Sequence, residues 1–279
     1  MPSVLVTGAS RGIGRATVGR LARAGWDVLA GVRQEPDGRS LIDEFGDRVR
    51  PVLLDITDAE QTSALHAQLP PSLDAVVNNA GVVVGGPVEA LSLDELRHQL
   101  EVNVIGQVAV TQAVLPRLRR SRGRIVFVSS LSGRVVTPMT GAYNASKFAI
   151  EAVADALRME LWPWGIAVAV VEPAQTDTDM WRKADVQLEE ALASVSQEHQ
   201  ELYAQHIDGM RRAIPRSQRM ATSADGVAET IFRALTERRP RPRYIVGAAP
   251  RAQFTMARLL PTRVLDSAIR RQSGITTRS

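Results

Sequence analysis

Short apolar runs rich in β-branched residues recur at residues 4–6, 28–32, 49–54, 75–77, 124–128, 166–171 and 244–246, and longer stretches with helical periodicity lie between them. Strands that alternate with helices predict a parallel sheet, because each parallel crossover needs a helix-sized connection. The runs are almost continuously hydrophobic, as strands buried on both faces are. The pattern therefore predicts an α/β, doubly wound Rossmann-type fold, with about seven parallel strands covered by helices on both faces. These elements fill a single domain over residues 1–250.

Two regions break the rhythm. Residues 179–223 are polar, helix-prone and without a strand-like run, and 187–210 is their clearest helical span. A long insertion late in an α/β domain reads as a helical lid over a substrate. After Gly247 the chain is Arg-rich and interrupted by Pro250 and Pro261, so residues 251–279 read as an extension.

Composition narrows the chemistry. The chain has no cysteine, which excludes a disulfide framework, a thiolate metal site and a cysteine nucleophile. His66, His98, His199 and His206 show no ligand spacing, and no metal is expected. Residues 1–6 run straight into the first strand without a signal-peptide pattern, and no apolar run approaches the length of a membrane span, so the cytoplasm is the expected location. The net charge of +4 is uneven. Residues 233–279 carry eleven arginines against Glu237 and Asp266, a local +9 that leaves the first 232 residues at −5. Such a tail covers a solvated or subunit-facing surface, or it holds the protein at an anionic membrane surface. The arginines are not interleaved with a series of aromatic stacking platforms, which argues against nucleic acid.

The glycine-rich segment Thr7-Gly8-Ala9-Ser10-Arg11-Gly12-Ile13-Gly14 follows the first strand and opens a helical run at 15–24. Glycines in a strand-to-helix turn let backbone approach a pyrophosphate, which the helix N-terminus then stabilises with free amides and the macrodipole. The spacing is GxxxGxG, which differs from the usual GxGxxG dinucleotide fingerprint. At the end of the second strand, where an acid would mark NAD, stand the apolar Val32 and then Arg33. Arg11 and Arg33 together suit a 2′-phosphate, so NADP is the expected cofactor. NAD stays open as the less favoured choice, because Glu35 and Asp37 lie close by.

Tyr143 and Lys147 stand four residues apart before the helical run 148–161, which puts both side chains on one helix face. An ammonium there would stabilise a phenolate and make Tyr143 a proton-transfer group for an alcohol or ketone. The chain has only two lysines, Lys147 and Lys183, in an arginine-rich composition, so an ammonium at this position stands out.

With the glycine loop, Asn78-Asn79-Ala80-Gly81, Ser130 and the Tyr143/Lys147 pair in this order, the chain resembles the short-chain dehydrogenases/reductases over about residues 3–250. The resemblance implies that Tyr143 is the catalytic acid/base, that Lys147 lowers its pKa and binds the nicotinamide ribose, and that Ser130 holds the substrate oxygen. Ser129 is rejected for that role, since strand alternation turns neighbouring serines to opposite faces. It also implies that Asn103 organises a water-linked proton path to the lysine. Asp55 and Ile56 would meet the adenine, while Asn79, Ala80 and Gly81 would lie along the adenosine side. Pro173, Thr176 and Thr178 would face the nicotinamide, in a loop where Ala174 replaces the family's usual glycine. Gly141 to Tyr143, Ala156 to Leu161 and Val171-Glu172-Pro173 look like the retinoid and hydroxysteroid branch, which implies a bulky hydrophobic alcohol, aldehyde or ketone walled by Trp181 and Met180. The family commonly forms homodimers or homotetramers through helices here at about 93–118 and 143–162, with Trp162 and Trp164 at the contact. Two rival readings are a ketoacyl-thioester reductase and a non-catalytic NADP(H)-sensing regulator; such regulators tend to lose the tyrosine or lysine.

Overall fold

The computed structural model describes residues 1–193, 195–247, 254–255 and 259–276. The first half alternates as the hydrophobic pattern dictates: β1 (Ser3–Val6), α1 (Gly12–Arg23), β2 (Asp27–Val32), α2 (Glu35–Phe45), β3 (Val49–Leu53), α3 (Ala59–Gln68) and β4 (Ala75–Asn78). Then come α4 (Leu93–Leu100), a π-helical turn (Glu101–Gly106), α5 (Gln107–Ser121), β5 (Arg124–Val128), α6 (Gly141–Glu160) and β6 (Ala167–Glu172). All pairings in the main sheet are parallel, in the order β3-β2-β1-β4-β5-β6 and finally β9 (Arg243–Ile245). The order reverses direction between β1 and β4, which opens a crevice above their carboxyl ends, the usual ligand position in such sheets.

Alternation along each strand divides the core. Val4, Val6, Val77, Val126 and Val171 face one layer with Val18, Leu21 and Ile231. Leu5, Val76, Ile125 and Phe127 face the other with Val114, Leu118 and Ile150. Each large side chain buried in this way contributes roughly 1.5–3 kcal/mol.

The region read as a lid is helical but built differently from expectation. The single helical span at 187–210 is broken into α8 (Ala184–Ala193), α9 (Gln197–Leu202) and α10 (Ala204–Arg219), with the short α7 (Asp179–Arg182) before them. Ser196 starts α9 as its cap, its hydroxyl accepting from the His199 amide, so its own preference for a helix boundary overrides the longer periodicity. The region is not strandless either, since β7 (Thr176–Asp177) pairs in parallel with β8 (Thr222–Ser223) and ties its two ends together. From β8 the chain enters α11 (Ala224–Thr236), which packs on α1.

The C-terminal extension ends in α12 (Thr262–Ser273), which lies against α10. Gly209 permits that approach: a Cβ there would overlap the Ser273 carbonyl oxygen. The Thr276 amide then donates to Gln205 Oε1 at 3.0 Å.

This inserted region has its own small core, with Met139, Leu188, Leu192, Ile207 and Ile214 buried apart from both main layers. A satellite cluster this small opens locally at lower free energy than the central sheet. Peptides covering 184–219 are therefore expected to exchange amide hydrogens well before those covering β4 and β5 in hydrogen-exchange mass spectrometry, and Ile207→Ala should widen the gap. Equal protection of the two sets would contradict a separate core.

Candidate active site

The glycine loop is held by hydrogen bonds to the end of β4. The Thr7 hydroxyl accepts from the Asn79 and Ala80 amides at 3.0 and 3.1 Å. Asn79 Nδ2 returns donors to the Thr7 and Gly8 carbonyls at 3.0 and 3.1 Å. Asn79 thus shapes the loop, and Gly81 lies against Asn103. Gly8 has φ +62°, and a Cβ on it would sit 2.9 Å from the Ala80 backbone. A Cβ on Gly14 would overlap the Gly8 carbonyl and meet Asn79 Nδ2 at 2.7 Å. Glycine is required here by space as well as by angle.

This turn fits a pyrophosphate. Helix α1 begins at Gly12, earlier than the run 15–24 suggested; its first turn holds no acid, and the Arg11 side chain makes no capping bond. Its leading amides and positive end are therefore available to an anion. Ile13 turns its side chain into the core, so only its backbone faces the loop. The Ser10 carbonyl accepts from Arg15 Nη1 at 3.3 Å, and Arg11 is exposed.

At the adenosine end, Arg33 follows β2 as an exposed side chain, while Glu35 and Asp37 are drawn into the first turn of α2. Asp55 lies beyond β3, its Oδ1 accepting from the Thr57 amide at 3.0 Å and hydroxyl at 2.7 Å. Partial burial raises this carboxyl, but the two Thr57 bonds, with Arg33 and His98 nearby, outweigh it and hold the group below its ordinary value. Ile56 is buried under the π-helical turn, where Gly106 leaves room for its carbonyl.

Pro173 continues the edge of β6, its carbonyl accepting from the Leu131 amide at 3.1 Å. Thr176 is buried in β7, and the Thr178 methyl closes on Gly12, where a Cβ would meet it at 3.0 Å. Ala174 needs no left-handed backbone, since Arg122 and Met139 are the only non-glycine residues with positive φ among those described. The family's glycine is therefore replaced without strain at this point.

Helix α6 starts at Gly141, seven residues before the helical run anticipated from sequence, so Tyr143 and Lys147 occupy its first two turns. The Ser130 hydroxyl lies close enough to Tyr143 to act on its phenol. Ser130 is extended at φ −165°, and its Oγ accepts from the Ser132 amide at 3.1 Å, which fixes its rotamer. Ser129 points elsewhere, into a buried space beside Gly133. Lys147 is buried; its Nζ donates to the Val128 carbonyl at 2.9 Å and lies 5.7 Å from the centre of the Tyr143 ring.

The electrostatics correct one expectation. Spacing leads to a lysine-stabilised phenolate, but burial raises the Tyr143 phenol above its ordinary value and the Ser130 hydroxyl only partly opposes this. The lysine is shifted as well, lowered by burial to about 8, with Glu151 acting in the opposite direction. The pair is thus set up as a neutral phenol beside an easily titrated ammonium.

Asn103 lies in the π-helical turn, and its side chain is engaged by Val82 and Ser146. Its Oδ1 accepts from the Val82 amide at 2.8 Å, and its Nδ2 donates to the Val82 carbonyl and to Ser146 Oγ at 3.0 and 3.1 Å. Ser146 Oγ donates in turn to the Tyr143 carbonyl at 2.7 Å. Asn103 therefore brackets α6 against the loop after β4, and it belongs to a series that sequence reading missed. Gln99 and Gln107, four residues before and after it, bond Val82, Val84 and Ala80 in the same manner. The signal was present as three amides at helical spacing, 99, 103 and 107.

Two further residues were not legible. Asn144 ties the loop between Ser130 and Tyr143 to α6 through the Ser132 and Val135 carbonyls. Met139 is buried with φ +68°, its carbonyl accepting from the Gly86 amide, and it joins the core of the inserted region directly before α6. A bulky residue in that conformation stores strain near a site. Trp181 is half-buried; its indole nitrogen is buried without a partner among the described residues, and its carbonyl accepts from Gln218. The Met180 side chain lies outside the described residues.

Gly14→Ala is expected to cost about 1–3 kcal/mol through overpacking of the loop, read as a lower thermal midpoint and as loss of nucleotide binding by fluorescence titration. A variant that binds and melts like the parent would contradict the close approach of Gly14 to Gly8.

Known proteins are similar along nearly the whole chain. The family model for short chain dehydrogenases matches residues 2–189. The NADPH-dependent 3-dehydrocapnine reductase of Ornithobacterium rhinotracheale is 31% identical over 277 residues, covering 95% of each chain. Retinol dehydrogenase 16 of Mus musculus is 32% identical over 276 residues, covering 95% of this chain and 87% of that one. The crystal structure of a short-chain dehydrogenase from Streptomyces avermitilis superposes with a TM-score of 0.78 at 26% identity, over 98% of this chain and 97% of that one. With a Rossmann-type sheet, a glycine cradle and the Ser130–Tyr143–Lys147 constellation beside these matches, the chain belongs to the short-chain dehydrogenase family of oxidoreductases and resembles its retinol-dehydrogenase-like branch.

Proposed function

We propose that the protein is an NADP(H)-dependent oxidoreductase that interconverts a carbonyl and an alcohol on a bulky hydrophobic substrate. The observation that carries this reading is the Ser130 hydroxyl acting on the Tyr143 phenol, with the buried Lys147 one turn along the same helix. A carbonyl oxygen placed between those hydroxyls receives two donors aimed at the charge that develops there, the arrangement that lowers such barriers most effectively. The protonated phenol supports proton donation to that oxygen, and Lys147 then stabilises the resulting phenolate. Bound along Gly8 to Gly14, with Asp55 and Ile56 at the adenine and Pro173 to Thr178 at the other end, the cofactor supplies or accepts the hydride.

Arg33 and the exposed Arg11 favour NADP(H) over NAD(H), since no acid stands at the end of β2 to bind a free 2′-hydroxyl. The name of the 3-dehydrocapnine reductase as NADPH-dependent agrees with this choice. The retinol dehydrogenase relative and the apolar lid core around Met139, Leu188 and Ile207 support a hydrophobic substrate. Self-association is proposed through α6 and the π-helical turn, where Ile105, Phe148, Met159 and Trp162 are exposed. Trp164 is less available, because Arg119 stacks on it at 4.8 Å. Among the described residues no helix is long and apolar enough to cross a membrane.

The decisive assay follows NADPH and NADH absorbance against ketones and aldehydes ranging from small to steroid-sized. Tyr143→Phe should lower kcat/KM by about 100- to 10,000-fold; full turnover by that variant would sink the mechanism, and no turnover by the parent on any substrate would favour a cofactor sensor. Arg33→Ala should raise KM for NADPH by about 10- to 100-fold, the loss of a charge-assisted bond, while leaving NADH nearly unchanged. Sedimentation velocity should show a dimer or larger species that Trp162→Glu dissociates, whereas a monomeric parent would remove the proposed interface.

A further inference from the structure

Two buried carboxyls meet behind the catalytic face. Glu151 lies one turn after Lys147 on α6, and Glu172 ends β6 directly before Pro173; they are 4% and 0% exposed, in a setting where acids are rarely found unpaired. Arg134, from the loop between Ser130 and Tyr143, donates to Glu151 Oε2 and to Glu172 Oε1, both at 3.1 Å. Arg243 of β9 donates to Glu151 Oε2 at 3.0 Å and to Asp155 Oδ2 at 2.6 Å, and it lies 3.6 Å from Glu172 Oε1. Asp155 is also paired with Arg158 at 3.0 Å.

Despite two guanidinium groups, the cluster is short of donors. Glu151 Oε1, Glu172 Oε2 and Ser129 Oγ are buried without a well-formed hydrogen bond among the described residues. Ser129 and Glu172 nevertheless both lie close enough to act on the Glu151 carboxyl. Ser129 can satisfy only one acceptor, so two ionised carboxylates would leave a bare oxygen facing a like charge. One proton held between the carboxyls removes both penalties. The space is tight: a Cβ on Gly133 would lie 2.9 Å from Ser129 Oγ, 3.0 Å from the Lys147 carbonyl and 3.1 Å from Glu151 Cγ.

We propose that Glu151 and Glu172 are positioning residues that share one proton and, through the charge they carry, set the ionisation of Lys147 one turn away; this rests on reading Lys147 as the catalytic ammonium. The charged groups facing them are Arg134 from the loop, Arg243 from β9, and Lys147, Asp155 and Arg158 on α6. Of these, Lys147 is the one whose proton is lost in the same range as that of the pair. Burial and Glu172 push Glu151 up to about 8, and burial pulls Lys147 down to about 8. When the pair gives up its shared proton it gains a negative charge beside Lys147, which keeps the ammonium charged to higher pH. The same contacts join the ends of β5 and β6, α6 and β9, so the charge and the geometry of the site are set by one cluster.

The test uses the enzyme with NADP(H) bound. Carbonyl reduction needs the Lys147 ammonium, so kcat/KM should be full at low pH and fall as pH rises through about 8. Glu151→Gln removes the charge nearest Lys147 and should move that fall to lower pH by on the order of one unit. Glu172→Gln leaves Glu151 ionised between the two arginines and should leave the fall in place or move it upward. Equal shifts in both variants, or none in either, would overturn the proposal. Folding is checked by thermal melts, and a readout independent of both variants is available. Infrared difference spectra of the wild-type holoenzyme should show a protonated carboxyl band at neutral pH that disappears between about pH 6 and about pH 10; a spectrum without it removes the shared proton. Full turnover by Tyr143→Phe would instead defeat the reading of the site, without touching the infrared result.

Discussion

A cation buried between β5 and α6 constrains the rest of this molecule. Removing an ammonium from water costs several kcal/mol unless partners compensate, and Lys147 has its Val128 acceptor and the carboxyl charge behind it. To deliver that acceptor, β5 must end where its last carbonyl points at the second turn of α6. The same stretch of α6 is largely withdrawn from water, with Ala142, Asn144, Ser146 and Ile150 buried as well. The position of Tyr143 follows, because it is fixed one turn earlier on the same helix.

The polar residues around the site obey a single rule: they take the place of a missing strand or cap. After β4 the chain leaves the sheet, and Gln99, Asn103 and Gln107 supply from one helix face the hydrogen bonds that a neighbouring strand would have made. The π-helical turn brings Asn103 into that series while letting Gly106 approach Ile56. Thr7 and Asn79 do the same for the glycine loop. These loops are thereby tied to the sheet by hydrogen bonds, whereas the inserted helices rest on a few apolar contacts of their own.

Charge is distributed with the same economy. The surface pairs, such as Arg97 with Asp94, are exposed and worth little each. The cluster of Glu151, Glu172, Arg134 and Arg243 is different in kind, since breaking it would strand buried charges. It lies where the elements carrying Ser130, Lys147 and Pro173 converge, so the same residues set both the electrostatics and the geometry there.

The seven main strands, their parallel pairing and the covered faces were legible in the chain, because hydrophobic runs of strand length leave few other ways to be buried. The glycine loop and the Tyr143/Lys147 pair were legible too, since local geometry restricts the residues such positions accept. The direction of the Tyr143 shift was not, because burial of both groups, which spacing does not reveal, outweighs their proximity. Ser196 and β7–β8 likewise reshaped the inserted region through a cap and a long-range pairing that periodicity at 187–210 does not carry. Sequence by itself therefore determined the main strands and the glycine-loop and Tyr143/Lys147 positions. Only the tertiary structure decided how those side chains ionise and what holds them, because desolvation and the meeting of Glu151 with Glu172, twenty-one positions apart, exist only once the chain is folded.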